Sequence, residues 1–294
     1  GGCDQRPLGD GQIRFGNDPD QFHTLHQQAS QSLHNLSGDA GIGVAPHSLR
    51  AVGMDMLKQY ATLHPTGPIH MHLAEQIPEV EEVSAHWRAR PVEWALENMG
   101  LNDRWCLIHC TQMTPDETIG LAQTRAVAGL CPITESSLGD GIFDGVRWLE
   151  NDGMIAIGSD SNIRIALAEE LRTLDYSQRL RDHSRAALAT QDRSTGRRLY
   201  QATLAGGAQA TARDTGALAV GNWADMLCLD MASVHTAGRS GDTVLDAWIF
   251  AGDDRLVTDV WSAGRHVVKD GEHHNKARIT SAYLRALQDL KDAI

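Results

Sequence analysis

The 294 residues are 41 % hydrophobic and 22 % charged, and 26 Lys and Arg against 38 Asp and Glu give a formal net charge of −12. The chain is long enough for a sizeable core and more than one domain. The acidic balance excludes nucleic acid as the main partner, because phosphate binding needs a basic footprint, and no run nears the roughly 18 apolar residues of a membrane span.

An anionic small molecule stays possible, since a pocket can carry the opposite sign to the whole surface. Five cysteines occur without a CxxC pair, which suits a reducing cytoplasm. The opening GGCDQRPLGDGQ is polar and glycine-rich, unlike a signal peptide.

Residues 1–16 lack apolar periodicity and read as loop. Asp18-Pro19 then opens a helix whose Phe22, Leu25, Ala29, Leu33 and Leu36 keep helical spacing. From residue 41, short apolar runs alternate with amphipathic stretches: GIGVAP (41–46), IHMHLA (69–74), WCLIHC (105–110), AVAGLC (126–131) and MIAIGSD (154–160). Helices are expected near 53–64, 77–99, 115–124, 143–151 and 167–182. Thr114-Pro115-Asp116-Glu117 signs one start with an N-cap, a proline in the first turn and a capping-box glutamate.

Five strand–helix units predict an α/β fold with a parallel sheet. Polar residues follow or end every run: His47 and Arg50, then His72 and Glu75, His109, Thr134 with Glu135, and Asp160. A (β/α)8 barrel of TIM type keeps its site at the C-terminal rim of all its strands, whereas an open doubly wound sheet gathers polar residues at one switch point, so the barrel is favoured. A helix is expected near 195–212, followed by β-like runs at 226–230, 247–251 and 257–271, the last a hairpin turning at Ala263-Gly264. The expected division is a partial barrel over 1–213, a small β-sandwich appendage over 214–275, and a C-terminal helix within 276–294.

Alternation sends His70 and His72 to one strand face, with His70 deeper. A neutral imidazole can hold zinc or iron, and a carboxylate three residues on can move protons. Taken alone, the HxH is more often a core pair, while a helix cap for Asp160 and a surface ion pair for Arg50 are the lesser readings. His183, His273 and His274 fall in polar sequence and read as solvated. That three strands in order end in His72, His109 and Asp160 carries more weight than any one of these residues.

These residues resemble the amidohydrolase superfamily. More narrowly, APHSLRAV (45–52), HMHLAEQIPEVEEV (70–83), RPVEWALENMG (90–100), WCLIHCTQMT (105–114), GLCPITESSLGDG (129–141) and GSDSN with EELRTLDYSQRL (158–180) are similar to its formiminoglutamate deiminase group. The resemblance implies one divalent metal, zinc or alternatively iron, that activates water and is held by His72 and Asp160. It implies that Asp160 also accepts a proton, that His109 hydrogen-bonds the attacking oxygen, and that Glu75 carries a proton to the leaving nitrogen. His47 and Arg50 would bind a dicarboxylate substrate, N-formimino-L-glutamate, converted to N-formyl-L-glutamate and ammonia in histidine degradation. A planar guanidinium suits a carboxylate bidentately. Barrels of this kind often pair, so a homodimer is a further expectation.

The first-strand HxH of that superfamily has no counterpart here, and the five units correspond to its strands 4 to 8. His23 and His26 lie on a helix and are poor substitutes. The expectation is a shortened reading of a longer polypeptide or a fragment completed by a partner, with weakened metal binding, open sheet edges and little catalysis unless completed. Two other readings stay open: the same chemistry on an aminopurine or another amidine, and a metal-free, catalytically dead binding module.

Overall fold

A computed structural model of the chain describes residues 2–3, 6–63, 65–161 and 164–293, with the side chains of 60–63 left aside. Asn162, the last residue of the GSDSN motif, lies outside the described residues.

Helix α1 (Pro19–Ser32) begins as expected: Asp18 accepts the Gln21 N–H, and the Gln21 side chain accepts the Asp18 N–H. After α2 (Met54–Leu63) the chain enters β1 (Ile69–Leu73), and the stretch expected at 77–99 forms two helices, α3 (Ile77–Trp87) and α4 (Pro91–Asn98). Arg88 at φ 58° ends α3, and Pro91 starts α4. Strand β2 (Trp105–His109) leads to α5 (Pro115–Gln123), where Thr114 and Glu117 form the expected reciprocal cap. Then come β3 (Val127–Leu130), α6 (Pro132–Leu138), α7 (Gly145–Glu150), β4 (Met154–Ile157), α8 (Leu167–Asp182) and α9 (Thr195–Thr211).

Strands β1 to β4 form one parallel sheet in chain order. The α/β class and the parallel sheet are borne out, with four open strands of it among the described residues. The fifth run, 41–46, corrects the expectation: it makes isolated bridges, Val44 to Ile69 and, just beyond it, Ser48 to His72. Pro46 has no N–H to donate, so a continuous ladder cannot pass through it.

The register sets two rows on one sheet face: His70, Cys106, Val127 and Met154, then His72, Ile108, Gly129 and Ala156. The other face carries Ile69, Met71, Leu73, Trp105, Leu107, Leu130 and Ile155, all buried in the main core with Trp94 and Trp148. Fully burying one such side chain is worth about 1.5–3 kcal/mol. Helix α9 lies directly on β4, where Gly206 meets the Ile155 backbone.

A second, antiparallel sheet follows: β5 (Met226–Leu229), β6 (Val257–Ser262), β7 (Arg265–Lys269) and β8 (Glu272–His273). It is a single sheet. The hairpin turns where expected, with Ala263 and Gly264 both at positive φ, as a two-residue primed turn requires. The run AWIFA is not a strand; it continues α10 (Asp242–Asp246) as a π-helix, Ala247–Ala251. Ala247, Trp248 and Ile249 are buried at consecutive positions of this turn. Helix α11 (Lys276–Ala293) closes the chain and buries none of its described residues. No helix among the described residues is long and apolar enough to cross a membrane.

Candidate active site

Because β1 to β4 run parallel, their C-terminal ends share one rim. The register aligns Leu73 with His109 and Leu130 with Ile157, so the residues just beyond these pairs become neighbours. Ala74 at φ 52°, His109 at 71°, Cys110 at 51° and Asp160 at 49° turn the chain sharply at the ends of β1, β2 and β4. A left-handed conformation costs a non-glycine residue about 1–3 kcal/mol, and such residues cluster at functional sites.

His109 is the hub. Its side chain is 1 % exposed, and Nε2 lies 3.7 Å from Glu75 Oε1 and 4.0 Å from Asp160 Oδ2. The ring of His72 stacks 5.7 Å from that of His109, and the ring of His47 stands 4.9 Å from that of His72. Five of the six expected residues are therefore brought together by direct contacts. Arg50 sits one turn beyond His47, and its Nε is buried without a hydrogen-bond partner among the described residues.

His72 Nδ1 lies 2.9 Å from the carbonyl oxygen of His47. A carbonyl only accepts, so Nδ1 carries the proton and Nε2 keeps its lone pair, the usual preparation of a metal-ligating imidazole. That chemistry fits a metal. Among the described residues no group of three or more His, Cys, Asp or Glu lies close enough to hold one. His70 takes no part: its Nε2 is committed to the Ala210 carbonyl at 2.7 Å.

Burial raises the Glu75 carboxyl above its ordinary value; Asp140 and Glu79 push the same way, and His109 and His72 oppose them. For His109, burial favours the neutral ring, but Glu135, Glu75 and Asp160 outweigh it and raise its pKa. A carboxyl able to hold a proton beside an imidazole stabilised as a cation is equipment for acid–base work.

Two supporting carboxylates were not assigned roles from sequence. Glu79 binds the backbone N–H groups of Ala74 and Glu75 at 3.1 and 2.8 Å. Glu135, noted as a strand-end residue, lies 3.2 Å from His109 Nδ1. The segments HMHLAEQIPEVEEV and CPITE contain them, but no spacing within CPITE reveals the contact that Glu135 makes across strands.

The amidohydrolase family model matches residues 15–267, and the chain belongs to that family. It is 43 % identical over 289 residues to formimidoylglutamate deiminase of Pseudomonas aeruginosa, covering 98 % of this chain and 63 % of that protein. It is 28 % identical to a 5-methylthioadenosine/S-adenosylhomocysteine deaminase of Bacillus cereus, covering 93 % of this chain and 64 % of that one. Among solved structures, an amidohydrolase from Brucella melitensis superposes with a TM-score of 0.93 at 42 % identity, over 98 % of this chain and 64 % of its own. The chain thus spans somewhat less than two thirds of the length of these relatives.

Proposed function

We propose that this chain carries the proton-transfer and substrate-binding rim of a deiminase that hydrolyses N-formimino-L-glutamate. The observation that carries the reading is His109 Nε2 set between the carboxylates of Glu75 and Asp160, beside the ring of His72. The likeness to the Pseudomonas aeruginosa enzyme supports this substrate over an aminopurine.

His72 and Asp160 would hold a divalent metal, zinc or iron. A Xanthomonas campestris adenosine deaminase of the same fold was solved with bound zinc, which supports zinc. When bound, the metal supplies Lewis-acid activation of water. The chain's own residues supply the rest. Asp160 accepts a proton from the attacking water. The water oxygen bonds to the formimino carbon, and His109 Nε2 hydrogen-bonds that oxygen. Glu75 delivers a proton to the nitrogen as the C=N π bond opens; the hydroxyl proton then passes to Glu75 and the proton held by Asp160 passes to the amine, so the C–N bond breaks, ammonia leaves, and a formyl C=O remains. Arg50, with His47 beside it, pairs with a glutamate carboxylate. The absence of disulfides among the cysteines agrees with a reducing cytoplasm as the setting.

Ammonia release from N-formimino-L-glutamate by the purified, zinc- or iron-supplemented protein tests the proposal. Turnover abolished by Glu75→Gln and by Asp160→Asn is expected. An aminopurine consumed in preference to the dicarboxylate, or wild-type inactivity with metal demonstrably bound, would overturn it.

A further inference from the structure

We propose that Glu135 is a positioning residue for His109: it holds the ring as the Nδ1–H tautomer, so that Nε2 is the nitrogen offered to the reaction. The inference deepens the deiminase reading and rests on it for the identity of the reaction, while the tautomer can be measured without any reaction.

Glu135 Oε1 lies 3.2 Å from His109 Nδ1, and the two side chains are 6 % and 1 % exposed. The same oxygen accepts the backbone N–H of Cys131 at 2.8 Å. That second bond fixes the oxygen as an acceptor. The only hydrogen bond Nδ1 can make to it is as a donor, so in the neutral ring Nε2 carries the lone pair. Water cannot readily replace Glu135 as a partner, because both groups are enclosed.

The oxygen is itself held in place. Glu135 belongs to α6, whose Ile133 N–H donates to Glu170 Oε2 at 2.8 Å from α8. Thr134 Oγ1 donates to the Ser159 carbonyl at 3.1 Å, tying α6 to the residue before Asp160. His109 ends β2 and α6 follows β3, so a neighbouring strand–helix unit supplies the brace. On the opposite side of the ring, Nε2 faces Glu75 and Asp160. A ring flip would put Cδ2 where Nδ1 stands and leave the Glu135 oxygen without its imidazole donor.

Imidazole 15N shifts of labelled protein, assigned against a His109→Gln sample, test this at a pH above the titration of His109. The expected wild-type result is protonated Nδ1 and unprotonated Nε2. Glu135→Gln keeps the oxygen bonded to Cys131 N–H, so the tautomer is expected to persist without the charge. Glu135→Leu removes the acceptor, and a mixture of tautomers is expected. In the deiminase assay Glu135→Leu should lower kcat by about 10²-fold or more with KM changed by less than about threefold, and Glu135→Gln should fall between. Wild-type His109 protonated at Nε2, or an unchanged tautomer in folded Glu135→Leu, would overturn the inference. If the leucine variant does not fold, Glu135→Gln decides it, because a switch to Nε2–H there would equally refute it. A wild type that forms no ammonia sinks the deiminase reading, and the shifts still judge Glu135.

Discussion

The carboxylate of Glu79 accepts two successive backbone N–H groups, those of Ala74 and Glu75, and so grips the turn that presents Glu75 to His109. Glu79 is 1 % exposed and Ala74 is fully enclosed at φ 52°, so the left-handed turn has no solvent to fall back on. Hydrogen bonds to a charged group are worth about 1.5–3 kcal/mol each, and buried donors left unpaired cost a similar amount. Glu79→Ala is predicted to lower stability by roughly 2–4 kcal/mol in urea unfolding and to reduce turnover beyond what unfolding explains. An unfolding midpoint equal to wild type would show that the grip is dispensable.

Arg50→Ala is predicted to raise KM for N-formimino-L-glutamate about tenfold or more and to leave weak turnover of any neutral amidine nearly unchanged. Its Nε is buried with no partner among the described residues, so in the proposed reading the substrate carboxylate would supply its acceptor. Equal loss on charged and neutral substrates would make the arginine structural.

Glu170 gives a pH signature. Burial raises its carboxyl from 4.5 to about 7, assisted by Glu135 and Glu169 and opposed by the Ile133 N–H. The folded protein therefore holds this proton more tightly than the unfolded chain. The associated stability is fully present below about 4.5 and is lost as pH rises through about 7. Glu170→Gln removes that dependence, so between about pH 5 and 8 its unfolding free energy should fall less than that of wild type, by at most about 3 kcal/mol. Parallel pH profiles would show that Glu170 ionises normally.

Two adjacent glycines should behave oppositely. A Cβ at Gly206 would lie 1.9 Å from the Ile155 carbonyl oxygen, whereas one at Gly207 would meet nothing within 4 Å. Gly206→Ala must push α9 off β4 and is predicted to cost about 1–3 kcal/mol or more. Gly207→Ala adds helix propensity in open space and should gain about 0.5–1 kcal/mol. Thermal melts of the pair check both signs, and a neutral Gly206→Ala would mean that the helix–strand contact is loose.

Much of the frame was legible in the sequence. Parallel strands buried on both faces make short apolar runs, and caps such as Thr114 with Glu117 are written within four residues. Polar residues at run ends marked the rim, and five of the six given roles in the chemistry meet there. The misses were non-local or ambiguous. AWIFA has the composition of a strand, yet it continues α10 as a helical turn whose Trp248 meets Tyr200 edge to face. His70 shares a strand face with His72, and its committed partner, the Ala210 carbonyl, lies 140 residues away. Glu135 meets His109 only through the pairing of β2 with β3.

The left-handed residues at the ends of β1, β2 and β4 have an engineering consequence. Where a side chain departs is decided there by the peptide planes, and rotamer choice adjusts only its tip. A substitution that keeps these backbone angles therefore keeps the direction in which the side chain leaves the chain. Proline is barred from these positions, and glycine would ease the turns while loosening their aim.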